Sequence, residues 1–100
     1  MVTVGDIYNY IDTFAPFHTA MGFDNVGLLV GGKHCPVTSV MVSMDITPEV
    51  ISEAVSQKAE LIISHHPVIF QPLKRLSPTD VPYLLVQNGL CAIAAHTNYD

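Results

Sequence analysis

Apolar positions along the chain alternate between helical and extended spacing. Val4, Ile7, Tyr8, Ile11 and Phe14 form a helical stripe, which predicts a helix from about Val4 to Ala15. Thr3 and Asp6 at its start resemble a capping box with Asp in the place of Glu, and Pro16 stops the element. Phe23 to Val30 then turns extended. Gly31-Gly32-Lys33-His34-Cys35-Pro36 reads as a turn, and Val37 to Met44 is a strand rich in β-branched residues. The short connection predicts that these two strands pair as a hairpin.

Thr47-Pro48-Glu49 is a helix start, with a capping hydroxyl, a proline suited to the first helical position and an acid that complements the dipole. Val50, Ile51, Ala54 and Val55 are its buried stripe, and the helix ends near Lys58. Leu61-Ile62-Ile63 is a short buried strand. Beyond a loop holding Pro67, Pro72 and Pro78, a third helix spans roughly Asp80 to Asn88, with Gly89 as its C-terminal cap. Leu90 to Ala95 is the next strand. The fold expected is α/β: an N-terminal helix, a strand hairpin, then a mostly parallel sheet in βαβαβ order within one domain of 100 residues.

Composition agrees with a sheet buried on both faces. Hydrophobic residues make up 49% and charged residues 13%, with a mean hydropathy of +0.36. The same numbers allow a surface made for another subunit or a further part of a chain. No apolar run approaches the ~20 residues that span a bilayer. The N-terminus lacks the basic, then apolar, pattern of a secretory signal, so a cytoplasmic, membrane-free protein is expected. A net charge of -5, with four Lys and Arg, argues against a nucleic-acid partner. Cys35 and Cys91 form no CxxC and are expected as free thiols.

In a parallel sheet, ligands bind beyond the carboxyl ends of the strands. Three strands here end on coordinating groups: the first at Asp45, the second at His65-His66-Pro67, the third at His96-Thr97-Asn98-Tyr99-Asp100. Imidazole and carboxylate are the usual ligands of zinc, manganese and iron. Side chains alternate on a regular strand, but Pro67 takes the chain out of the ladder just after His66. At that bend the two histidines can serve two metals on either side of a bridging carboxylate, for which Asp100 is the best candidate. A lone His-His pair is more often a hydrogen-bonded strand end. The second cluster on the same rim reverses that balance. His96 has a weaker claim as a ligand and suits a role in positioning or proton transfer. Asp45 either supports a ligand or only starts the turn before Thr47, and Asp24-Asn25, just before the first strand, either approaches the rim or forms a turn, with turn chemistry the favoured account. Gly-x-Ser-x-Gly, P-loop and GxGxxG patterns are missing.

Phe23-Asp24-Asn25-Val26-Gly27-Leu28-Leu29-Val30-Gly31, Met44-Asp45-Ile46-Thr47, Ser64-His65-His66-Pro67 and His96-Thr97-Asn98-Tyr99-Asp100, in this order, resemble the NIF-three-like proteins, also known as GTP cyclohydrolase I type 2 homologues. The resemblance covers almost the whole chain. It implies an α/β protein with a dinuclear centre of divalent metals (Zn, Mn or Fe), assembled as a ring-shaped homohexamer. By position, His65, His66 and Asp100 would be metal ligands and His96 a neighbouring catalytic group. The implied activity is metal-dependent hydrolysis of a nucleotide-like molecule; the alternatives are a non-catalytic metal-binding scaffold or regulator and an inactive fragment. Members of that family carry a further His and Glu near their C-terminus, so this sequence is expected to correspond to an N-terminal portion with an incomplete ligand set.

Overall fold

The computed structural model describes residues 1–99. Helix α1, Val4–Phe14, begins with the reciprocal cap expected: Asp6 N donates to the Thr3 hydroxyl oxygen (3.2 Å) and Thr3 N to the Asp6 carboxylate (2.9 Å). Pro16 cannot continue the helix, and a single 3-10 turn, Phe17–Thr19, follows. It buries Phe17 against the Tyr8 ring at 4.4 Å between centroids.

Strands β1 (Gly27–Val30), β2 (Val40–Ser43), β3 (Leu61–Ser64) and β4 (Cys91–Ala94) form one sheet in the order β1-β4-β3-β2. Pairs β2/β3 and β3/β4 are parallel, joined by helices α2 (Pro48–Ser56) and α3 (Val81–Gln87). The mostly parallel α/β architecture is therefore the one expected.

The hairpin does not form. Strands β1 and β2 occupy opposite edges, and β1 pairs antiparallel with β4. The connection between them spends its backbone groups elsewhere: Val4 N donates to Cys35 O (2.9 Å), Gly5 N to Lys33 O (2.9 Å) and Val37 N to Val2 O (2.8 Å). All four residues of β4 are buried, so this strand needs a neighbour on each edge to satisfy its backbone. β1 supplies the second neighbour.

Two apolar layers cover the sheet. Helices α2 and α3 pack Ile51, Ala54 and Leu85 against Ile62 and Ala92 on one face. Helix α1 packs Val4 and Ile11 against Leu61, Cys91 and Ile93 on the other. The parallel strands end in register, Ser43 beside Ser64 and Ser64 beside Ala94. The segments leaving these three strand ends therefore emerge on one rim. Among the described residues no helix is long and apolar enough to cross a membrane.

Candidate metal centre

The rim brings His65, His66 and His96 together. Their rings form a triangle with centroids 5.2 Å (65–66), 4.9 Å (65–96) and 5.5 Å (66–96) apart. One ring nitrogen from each lies within 4.8 Å of the others, a grouping that could hold a metal ion. Asp100 lies outside the described residues.

Local backbone chemistry makes this convergence. The ladder runs past the strand ends through His65 N to Ser43 O (3.2 Å), His66 N to Met44 O (3.0 Å) and Ala95 N to Ser64 O (3.0 Å). The buried Ser64 hydroxyl then donates to His66 O (2.8 Å), and the Ser43 hydroxyl to Asp45 O (2.6 Å). Each serine ties its strand end to the carbonyl two residues on, turning the chain off the sheet where coordinating side chains begin. On the third strand the turn is closed by Asn98, whose side-chain oxygen accepts from His96 N (3.0 Å) and whose amide donates to Ala15 O (2.8 Å).

Two of the imidazoles are oriented by aspartates. His66 Nδ1 is 2.7 Å from Asp45 Oδ1. His96 Nδ1 is 3.1 and 3.2 Å from the two carboxylate oxygens of Asp24. An ionised carboxylate only accepts, so Nδ1 is the donor in both rings and a neutral ring keeps its lone pair on Nε2. That is the tautomer a metal needs, and a carboxylate behind a histidine is the usual support of a histidine ligand. The donor set and its bracing both fit a divalent ion.

Asp24 is the better held of the two. Its side chain is fully buried, while that of Asp45 is 64% exposed. Burial alone would raise the Asp24 pKa, but donors from the Thr97 hydroxyl (2.6 Å), Thr97 N (3.1 Å), His96 and Asn25 N (2.8 Å) outweigh it and lower the value to about 2. The Thr97 hydroxyl in turn accepts from Met21 N (2.8 Å), and the Asn25 amide donates to Ile69 O (2.7 Å). The segment before β1 is thus pinned to both histidine-bearing segments.

The model of the Duf34/NIF3 (NGG1p interacting factor 3) family matches residues 2–100. The chain belongs to this family. Among its relatives are proteins named GTP cyclohydrolase 1 type 2 homolog, from Staphylococcus aureus (39% identical over 100 residues) and Clostridium perfringens (39% over 102 residues). Each alignment covers 97% of this chain, but the chain spans 27% and 38% of those two proteins. The crystal structure of a hypothetical protein of S. aureus superposes with a TM-score of 0.92 at 38% identity, covering 97% of this chain and 29% of that one. A Bacillus cereus protein related to NIF3 gives 0.90 at 35% identity, covering 96% and 28%.

Membership in the Duf34/NIF3 family and a rim of three histidines both point to metal binding. The sequence singles out His65, His66 and His96, and the structure brings these three together. Asp45, for which the sequence allows either support of a ligand or a turn, lies against His66. Asp24, for which the sequence allows either an approach to the rim or a turn and favours the turn, holds His96 and Thr97 from 72 and 73 residues away. The signal that could have found it was β4, an unbroken apolar strand requiring a partner on each edge.

Proposed function

We propose that this rim is part of a dinuclear metal centre of a metal-dependent hydrolase. His65, His66 and Asp100 hold the ions, and His96 completes the cluster as a further ligand or as a proton carrier. The observation that carries the reading is the convergence of three ring nitrogens within 4.8 Å, two of the rings braced through Nδ1 by aspartates. A divalent ion, when bound, supplies Lewis acidity and lowers the pKa of water. The protein's own part is to present Nε2 lone pairs and to hold His96 on the buried Asp24 side chain. The names of the relatives support a nucleotide-like substrate. Assembly as a homohexamer and a cytoplasmic location belong to the same proposal. The 100 residues form the N-terminal part of a longer functional unit in this proposal, so turnover by them alone is expected to be weak or absent.

Metal analysis after dialysis against zinc or manganese tests the reading. The protein should retain metal, and His65→Ala combined with His66→Ala should lose it. Equal retention by that variant would defeat the proposal. His96→Ala then separates the two roles: a ligand's loss lowers metal content, whereas a proton carrier's loss leaves it intact and lowers turnover in a full-length relative carrying the same change. A non-catalytic metal-binding scaffold is the second reading, favoured by the same triangle if a metal-loaded relative turns over no nucleotide.

A further inference from the structure

Outside the histidine rim, the chain's two thiols meet at the other end of the sheet. Cys91 opens β4 and is buried, with its N–H donating to Glu60 O at 2.9 Å. Cys35 is half-buried in the turn between β1 and β2 and packs against the same core cluster, its thiol beside that of Cys91. Both sulfurs lie against the Gly31-Gly32 pair. A Cβ placed on Gly31, which has φ +100°, would fall 2.3 Å from Cys91 Sγ, and one on Gly32 would fall 3.9 Å from Cys35 Sγ. Gly31 is therefore required twice over, by its left-handed backbone and by the sulfur occupying the space. The turn carrying Cys35 is also joined to the start of α1 by the bonds from Val4 N and Gly5 N.

We propose that Cys35 and Cys91 are a convertible dithiol, oxidised to an intramolecular disulfide by exchange with a low-molecular-weight disulfide. The Cys35 thiolate, on the accessible side, attacks one sulfur of the small disulfide, forming a mixed disulfide and releasing one small thiolate. Cys91 then gives up its proton and attacks Cys35 Sγ. The Cys35–Cys91 bond forms, the mixed disulfide breaks, and a second small thiolate leaves. Two protein thiols are oxidised and one small disulfide is reduced to two thiols. The order follows from burial: Cys91 is enclosed by apolar groups and its thiol pKa is raised, so it resolves rather than initiates. The product would strap the turn at residues 31–36, and through it the start of α1, to a central strand.

The purified reduced protein is incubated with oxidised glutathione, quenched in acid and measured by intact mass and non-reducing peptide mapping. The expected product has lost two hydrogens, carries no glutathione, links the Cys35 and Cys91 peptides, and melts at least ~5 °C higher than the reduced form. Cys91→Ser should trap glutathione on Cys35, and Cys35→Ser should leave Cys91 unmodified. A wild-type protein that keeps glutathione on Cys35 without closing the link, or that stays fully reduced, overturns the proposal. The wild-type experiment decides by itself, whatever the folding of the variants.

Discussion

His66 and His96 are both held through Nδ1 by an aspartate, yet the two aspartates sit in different surroundings. Asp45 is two residues past the edge strand β2, mostly in water, and makes one side-chain contact with the ring at 2.7 Å. The Asp24 side chain is fully buried and collects the Thr97 hydroxyl, two backbone N–H groups and the His96 ring. In water the short contact is screened and gains little over solvation. In the interior each donor matters more, because an unsatisfied one has no water to fall back on. One histidine of the rim is therefore preorganised, whereas the other is merely steered.

The largest effect should follow from Asp24→Asn. The amide keeps the shape but replaces one acceptor oxygen with a donor facing other donors. Urea denaturation of the metal-free protein should show a loss of about 1–3 kcal/mol. The pH dependence has a definite sign. The folded carboxyl, at about 2, lies below its ordinary 3.8, so the unfolded chain takes up the proton first as pH falls. The contribution, on the order of 2 kcal/mol, is fully present above about pH 5 and disappears as pH drops toward 2. The variant should lack that acid-side slope. Zinc affinity should fall by about 10–100-fold, since His96 loses its anchor.

The two aspartates also differ in how far the sequence reveals them. The rim itself is legible, because helical and extended periods alternate cleanly from Val37 onward and three strands run straight into Asp45, His65-His66 and His96. Asp45 can be suspected, since it follows β2 by two residues. Asp24 cannot be placed without knowing which edge β1 occupies. A short connection suggests pairing with β2, which would put Asp24 on the far side of the sheet from His96. Pairing with β4 brings it under the ring. Strand periodicity states which face is buried but carries no record of the neighbour, and the choice rests on long-range needs: β4's second edge and the bonds that residues 2–5 draw from the connection.

Glu60 separates hydrogen-bond number from burial. Its carboxylate accepts from Thr38 N (3.0 Å), the Thr38 hydroxyl (2.8 Å) and Ser39 N (3.0 Å), a count similar to that of Asp24, but in contact with solvent. These bonds lower its pKa from the ordinary 4.5. Its stabilisation is thus present above that value and lost as pH falls through the lowered one. Glu60→Gln should move the urea midpoint in the same direction as Asp24→Asn but by clearly less, with metal binding unchanged. A shift as large as that of Asp24→Asn would mean that bond count, not burial, sets the strength of the Asp24 network.

Asp45→Asn should have the smallest effect on folding, within about 0.5 kcal/mol, because both partners of the His66 contact are substantially exposed. Its effect belongs to the metal. The asparagine oxygen can still accept from Nδ1, so the ring keeps its tautomer but loses the charge that strengthens Nε2 as a donor, and zinc affinity should fall by no more than ~10-fold. Isothermal titration of the wild type, Asp24→Asn and Asp45→Asn side by side makes the comparison quantitative. If Asp45→Asn weakens zinc as much as Asp24→Asn while leaving stability alone, charge behind the histidine is what counts and preorganisation adds nothing. A smaller loss for Asp45→Asn assigns the difference to burial, the property that sets the two aspartates apart.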